Sequence, residues 1–402
     1  MAWRNIWRHK RRTLIVVLAI GLTMAMMMFY DGLINGFQQN INANAVKVMG
    51  GNIQIHDADY PNHKNSLLPV IDDQSLITAA ESMSQVIAAS RRINTGGMAS
   101  NREGGFPVSI IGVEPEKESA VSLIAQNVST GRYLAGDDLD MVYIGQGLAD
   151  AMALNVGDRF TLTGRGTHQQ MRTRSMTVAG IYDIGLTDLE KSNVYMSLAE
   201  AQDLYGLTGQ STEVVVTLHR IDQEAATISA LKSQFRTGYD IGSWQDNYPE
   251  MATTLTSKSA VMDIFSVVIL GIAGIGILNM MMMAVLERTR EIGVMGAIGL
   301  KPRQISWLFL LEGAIMGLVG LVAGVGLGLA FNLLMQVVGM DFSMYSTAAD
   351  YMALLSGRIY PTLGLEKLPL RVLTVLVISL MASFSPAREA SRKEPATALH
   401  YV

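Results

Sequence analysis

His56 and His63 flank Asp57 and Asp59, a mixture of imidazole and carboxylate that could ligate a divalent metal. Their spacing matches no metal-ligand motif, and a solvated loop accounts for it better. His168 and His219 stand alone. The sequence holds no HExxH, no GxSxG and no GxxxxGKS/T. It therefore offers no zinc-protease helix, no nucleophile elbow and no phosphate-cradling loop. With no cysteine, thiolate metal sites, thiol nucleophiles and disulfides are excluded. No catalytic residue and no metal site is expected. If ATP is used, it must bind to another subunit. One further titratable group, Glu312, interrupts an apolar run. An acid within a membrane span is a functional candidate by default, but its place shortly after Trp307 favours pairing with Arg303 or a neighbouring subunit.

The most informative stretch is ERTREIGVMGAIGLKPRQI, from Glu287 to Ile305. A charged opening (Glu287, Arg288, Arg290, Glu291) leads into a small-residue amphipathic segment. Ile292, Met295, Gly296 and Gly299 share one helical face, and Lys301-Pro302 ends it. Such a helix could dock apolar face first into a groove of a soluble partner. An ordinary polar loop with one helical turn fits the same residues equally well.

The elements around this stretch are apolar. Of 402 residues, 49% are hydrophobic and 16% charged, against about 25% charged in a typical soluble domain, and the mean hydropathy is +0.26. That balance excludes disorder, and a net charge of −4 without a basic domain argues against a nucleic-acid partner. Uncharged runs at Thr13–Tyr30 and Ile264–Leu286, and a third from Ile305 to Val338 broken only by Glu312, are long enough to cross a bilayer as helices. A fourth, Leu368–Ala387, suffices if Arg371 snorkels to the interface.

Basic residues set the orientation. Arg4, Arg8, Lys10, Arg11 and Arg12 precede the first run; Arg288, Arg290, Lys301 and Arg303 separate the second from the third; Arg388, Arg392 and Lys393 follow the fourth. Both termini and the middle loop are thus expected in the cytoplasm. Trp3, Ile6 and Trp7 share a helical face opposite arginines, which fits either a short interfacial helix or a basic flank that only sets topology. The first apolar run exceeds a usual signal-peptide core and lacks a nearby small-x-small site. The expected order is a cytoplasmic interfacial segment (1–12), spans at 13–35, 259–286, 305–338 and 368–387, a coupling helix at 287–304, an outer loop at 339–367 and a tail at 388–402. The fold class is therefore a membrane α-helical protein with four transmembrane helices and a large extracytoplasmic α+β domain over 36–258.

Within that domain, residues 52–56, 106–113, 141–145, 158–164, 175–184 and 213–219 read as strands. Residues 74–85, 146–154, 197–206 and 221–235 read as helices. Asn155-Val156-Gly157-Asp158 connects a helix to a strand. Gly313, Gly317, Gly320, Gly324 and Gly328 in the third span form a small-residue row for close helix packing, an end that Gly271, Gly274 and Gly276 in the second would also serve. The methionine run Met280–Met283 reads as adaptable packing surface.

The segment ERTREIGVMGAIG after the second span resembles the coupling segment of the MacB/FtsX-type ABC transporter permeases. SPAREASRKEPATAL (385–399) resembles the family's ending, WRNIWRHKRRT its basic lead-in, and GLADAMALNVGDRFTL a segment of its periplasmic domains. Size, four spans without a fused ATPase, and GGNIQIHDADY soon after the first span make the chain most similar to the lipoprotein-releasing permeases of the LolC/LolE type. The resemblance implies two outer lobes, one at 46–115 plus 211–246 and an inserted one at 116–210. It implies a multi-pass, non-catalytic subunit of the bacterial inner membrane, with no cofactor of its own, since ATP and Mg would sit in a partner ATPase. Implied partners are cytoplasmic ABC ATPase subunits, a second permease copy or paralogue, a periplasmic carrier or adaptor, and the lipid bilayer. An ATPase-coupling role falls on Glu287, Arg288, Glu291, Ile292, Gly293, Met295, Ala297 and Gly299. If a lipid chain enters between the first two spans, Met24, Met27 and Met28 become candidate substrate-facing residues. Lipidated cargo release is the leading expectation; efflux through an adaptor and FtsX-like signalling to a hydrolase are the rivals, and a receptor without an ATPase would leave the coupling segment unexplained.

Overall fold

The computed structural model describes residues 10–63, 67–119, 121–167, 170–286, 289–341 and 358–392. Along the chain run α1 (Lys10–Met49), β1 (Ile53–Asp57), α2 (Asp73–Glu81), β2 (Val86–Ser100), β3 (Gly105–Val113), β4 (Val128–Gly131), β5 (Met141–Gly145), α3 (Gln146–Met152) and β6 (Arg159–Arg165). Then follow β7 (Met171–Tyr182), β8 (Asn193–Ser197), α4 (Leu198–Tyr205), β9 (Glu213–Leu218), α5 (Glu224–Gln234) and β10 (Tyr239–Ser243). Among the described residues beyond β10 are four long or short helices and a short strand pair: α6 (Pro249–Leu286), α7 (Thr289–Ala297), α8 (Pro302–Val338) and α9 (Leu368–Arg392). Two compact units result, one made of residues up to Gln39 with Leu255–Asp341 and the residues from Arg358, the other centred on Asn40–Thr254. The divisions fall inside α1 and inside α6.

Local chemistry sets the ends of the long helices. α1 stops at Gly50, whose φ of +95° suits glycine at a helix end. α6 and α8 each begin on proline, which is pre-set for a first helical position and lacks only an N–H that would have no partner there. Gly299 at φ +98° and Gly339 at φ +69° follow the ends of α7 and α8. The segment expected as one coupling helix over 287–304 is therefore split: α7 ends at Ala297, and Pro302 opens α8. α1 also continues well past residue 35, into the stretch expected to begin the outer domain.

Among the described residues, Thr13–Met49 of α1 and the whole of α8 are long and apolar enough to cross a membrane, while Ile264–Gly276 and Leu368–Met381 are shorter apolar stretches. Val16, Ile20, Met24, Met27, Met28, Leu270, Met316, Leu321 and Val375 from the four helices bury one another. Leu14, Leu18, Leu22 and Met26 on α1, and Ile264, Val268, Ile272 and Ile275 on α6, are exposed. In water such stripes would be unfavourable, whereas in lipid they face a matched solvent.

The other unit is organised by one ten-stranded sheet. The pairings β2–β3–β8–β5–β7–β6–β2 close a ring of six strands, with β4 on the outside of β7 and the arm β9–β1–β10 added to β2. β3 with β8 and β5 with β7 are parallel; the other pairs are antiparallel. Among the described residues, two apolar clusters serve it. One lies on the arm under α2 and α5 (Ile53, Ile55, Leu76, Val214, Val216, Leu231). The other belongs to the ring (Ile93, Ile110, Val142, Phe160, Met176, Val194). The lobes expected at 46–115 plus 211–246 and at 116–210 thus do not separate at residue 115. Because β2 belongs to both halves, the ring's core already begins at Ile93.

Candidate functional site

α7 is the element on which the sequence places coupling. Ile292 is only 2% exposed and packs with Ile305 and Phe309 of α8, with Met295 and Leu300 alongside. Burying Ile292 roots α7 on the first turns of the next helix. The face expected to meet a partner, Ile292 with Met295, is therefore turned inward, and Gly293 is buried with it. Val294 and Ile298 point outward instead, the latter 75% exposed, with Ala297 and Gly299 also exposed. Glu291 lies on α7, and Glu287 and Arg288 fall outside the described residues.

The glycine row of α8 meets α1 and α9. A Cβ on Gly320 would stand 2.8 Å from Ile20 Cβ, one on Gly324 2.5 Å from the Gly21 carbonyl oxygen, and one on Gly328 3.0 Å from Met28 Cβ. A Cβ on Gly317 would come 2.9 Å from Ser379 Oγ, and Gly313 is buried. In α6, Gly274 approaches Ile378, but Gly271 and Gly276 have nothing within 4 Å. Met24, Met27 and Met28, read as candidate substrate-facing residues, are fully buried in this seam, because the glycines leave room for their side chains; Met26 is exposed.

Arg371 does not snorkel. Its Nε and Nη2 donate to the two carboxylate oxygens of Asp31 at 2.8 and 2.7 Å, and both residues are buried. Nearby, buried Asn332 donates to the carbonyls of Met28 and Leu363, both at 3.1 Å, and Thr362 N–H donates to the Gly32 carbonyl at 2.8 Å. The segment after Arg358 is thereby laid along α1. Gly32 permits the approach, since its Cβ would stand 2.3 Å from the Thr362 oxygen. Glu312 is buried in α8, whereas Arg303 is exposed.

A second polar centre sits where α1 ends in the sheet-bearing unit. Buried Arg92 donates from Nε and Nη2 to Glu118, both at 2.6 Å, and from Nη1 to the Met49 carbonyl at 3.0 Å. Its guanidinium occupies the carbonyl end of α1, where a positive charge is favoured. Burial opposes the charge, but Glu118 more than compensates and raises the Arg92 pKa. Beside it, burial pushes the Glu213 carboxyl up to about 7, against the pull of Arg92 and with the help of Glu118. His56 is buried on β1 and stacks on Tyr60. It therefore sits on a buried strand and not in the solvated loop expected for it, and among the described residues no group of three or more His, Asp or Glu could hold a metal ion.

Sequence reading missed Asp31, Asn332, Arg92 and Glu213. A charge inside an otherwise apolar run was the one available signal for Asp31; the others look like ordinary polar residues until the chain is folded.

These features define a chain with helices long and apolar enough to cross a membrane, in which α1 and α6 precede and follow a large sheet domain and the short helix α7 is rooted on α8. Comparison narrows the class. Residues 13–234 match the family described as MacB-like periplasmic core domain, and residues 264–395 match FtsX-like permease C-terminal. The lipoprotein-releasing system transmembrane protein LolC of Xylella fastidiosa is 23% identical over 96% of this chain and 92% of its own length. LolE of Haemophilus influenzae is 26% identical over 99% and 98%. The macrolide export ATP-binding/permease protein MacB of Neisseria gonorrhoeae is 26% identical over 99% of this chain and 60% of its own. Among solved structures, the periplasmic region of MacB from Actinobacillus actinomycetemcomitans covers 54% of this chain at 15% identity and a TM-score of 0.36. The chain belongs to the MacB/FtsX-type ABC transporter permeases.

Proposed function

We propose that the chain is the non-catalytic permease subunit of an ABC transporter of the bacterial inner membrane, with four spans and both termini in the cytoplasm. ATP and Mg bind in separate ATPase subunits, which dock on the exposed Val294 and Ile298 of α7. The observation that carries this reading is the two-sided character of α7: one apolar side fixed by Ile292 to its own chain, the other left uncovered. Closure of the ATPases pushes α7, and the push travels along α6, whose 38 residues make a rod about 57 Å long. α1 and α6 deliver the movement to the outer domain. A second permease copy or paralogue completes the assembly.

Lipoprotein or other lipidated cargo is the substrate this reading favours. It is supported by collinearity with the LolC and LolE relatives over nearly their full length, and a periplasmic carrier would receive the cargo. The MacB relatives support a second reading, efflux through an adaptor. The test is co-expression with the candidate ATPase, reconstitution in liposomes, and measurement of ATP-dependent release of a triacylated lipoprotein to a carrier. Release that requires ATP supports the proposal. ATP-dependent macrolide transport without lipoprotein release supports efflux, and a preparation that never associates with an ATPase overturns both. ATP-dependent activation of a cell-wall hydrolase, with neither transport, supports FtsX-like signalling.

A further inference from the structure

β2 changes neighbours part-way along its length. Up to Arg92 it pairs with β9, and from Gly97 onward with β6. At this fork a cavity of about 460 Å3 opens, within the size range of small-ligand sites. Asn94, Thr95, Gly96, Glu213, His56 and Tyr60 are among the residues that line it.

Its chemistry points to a cation. The Glu213 side chain is 3% exposed, and its carboxylate meets His56 Nε2 only at 3.8 Å, beyond hydrogen-bonding reach. Arg92, its partner in the strand register, is engaged through three nitrogens with Glu118 and Met49. His56 and Tyr60 stack at 3.8 Å with an interplanar angle of 5°, a flat aromatic surface of the kind that attracts cations. A Cβ on Gly96 would meet nothing within 4 Å, so the wall there is open. Arg165 also lines the cavity, and a guanidinium donates hydrogen bonds of the kind that the carbonyl oxygens of a peptide backbone accept.

We propose that the fork cavity binds the lysine or arginine side chain of a peptide segment, with Glu213 as its counter-ion and the His56–Tyr60 stack as its aromatic wall. Titratable and charged groups around Glu213 include His56 from β1, Tyr60 after it, Arg92 from β2, Glu118 from the short helix after β3, Tyr248 just before α6 and, lining the same cavity, Arg165 from β6. Because the carboxyl titrates near 7, a cationic ligand meets a mostly neutral acid at pH 6 and a mostly charged one at pH 8.

The full chain in lipid nanodiscs is titrated calorimetrically with Gly-Arg-Gly, with the isosteric neutral Gly-citrulline-Gly and with free argininamide. The expected result is saturable binding of Gly-Arg-Gly, about tenfold tighter at pH 8 than at pH 6. It should be lost in both Glu213→Gln and Gly96→Leu, the latter filling open space with thermal unfolding unchanged. Should Glu213→Gln fail to fold, Gly96→Leu and the citrulline peptide decide the matter. Equal binding of the citrulline peptide, a flat pH response, or binding that survives Gly96→Leu overturns the proposal. Argininamide binding as tightly as Gly-Arg-Gly overturns the assignment to a peptide.

Discussion

Arg371 at the start of α9 grips Asp31 in α1 through two parallel hydrogen bonds of 2.8 and 2.7 Å. The planar guanidinium matches the carboxylate, and such two-pronged pairs fix orientation as well as position. Each charge alone would be severely disfavoured in an apolar surrounding, and together they lock the fourth long helix to the first.

Removing one partner should therefore be worse than removing both. Asp31→Ala or Arg371→Ala is expected to destabilise the protein by about 3–5 kcal/mol, while Asp31→Leu combined with Arg371→Met recovers most of that loss. Thermal unfolding in detergent, followed by circular dichroism, measures the cycle. Single variants as stable as the parent would show that the pair has no structural weight.

Close packing of α8 on α1 should depend on Gly324 and not on Gly326. A Cβ at Gly324 would come 2.5 Å from the Gly21 carbonyl and 2.7 Å from Met24 Cβ, whereas one at Gly326 meets nothing within 4 Å. Gly324→Val is expected to cost about 1–3 kcal/mol through overpacking, and Gly326→Ala to leave stability within about 0.5 kcal/mol. Equal melting temperatures for the two variants would remove the seam from the account.

The two sides of α7 should separate by phenotype. Ile298→Glu, on a 75% exposed side chain, is expected to leave folding within about 0.5 kcal/mol and to weaken ATPase association about tenfold or more. Ile292→Ala should instead cost about 2–5 kcal/mol, since it empties a buried site. Pull-down of the ATPase, run beside a thermal melt, distinguishes them. An Ile298→Glu protein that binds normally would place the contact elsewhere.

Stability of the sheet domain should fall as pH rises from about 4.5 to 7. Glu213 has its folded pKa raised from 4.5 to about 7 by burial. The folded state therefore binds the proton more tightly than the unfolded chain. Stability contributed by the neutral acid is complete below pH 4.5 and is lost progressively until pH passes 7, by about 3 kcal/mol in all. Glu213→Gln should flatten that window in urea melts. A parent profile that does not decline there would contradict the burial argument.

Much of the architecture is legible along the chain because it rests on local signals. Apolar runs longer than a bilayer is thick, prolines at 249 and 302, and the strands around residues 55, 110, 143, 162, 180 and 216 each announce themselves within a short window. β2 does not. VIAASRRINTGGMAS is rich in alanine and glycine, which are poor strand formers by propensity, and it is held extended by β3, β9 and β6 together.

Hydropathy and short-range pattern thus mark which segments are apolar enough for a membrane and which fold as a sheet domain, but only some helix ends, since α1 runs past residue 35 and α7 stops at Ala297. They do not determine partners, because two residues far apart in sequence meet only when the intervening chain brings them together. The pairing of Asp31 with Arg371, the placing of Arg92 at the carbonyl end of α1 and the inward turn of Ile292 are all of that kind. Burying a charge or choosing a helix face is settled by what packs against it, and the tertiary fold alone supplies that neighbour.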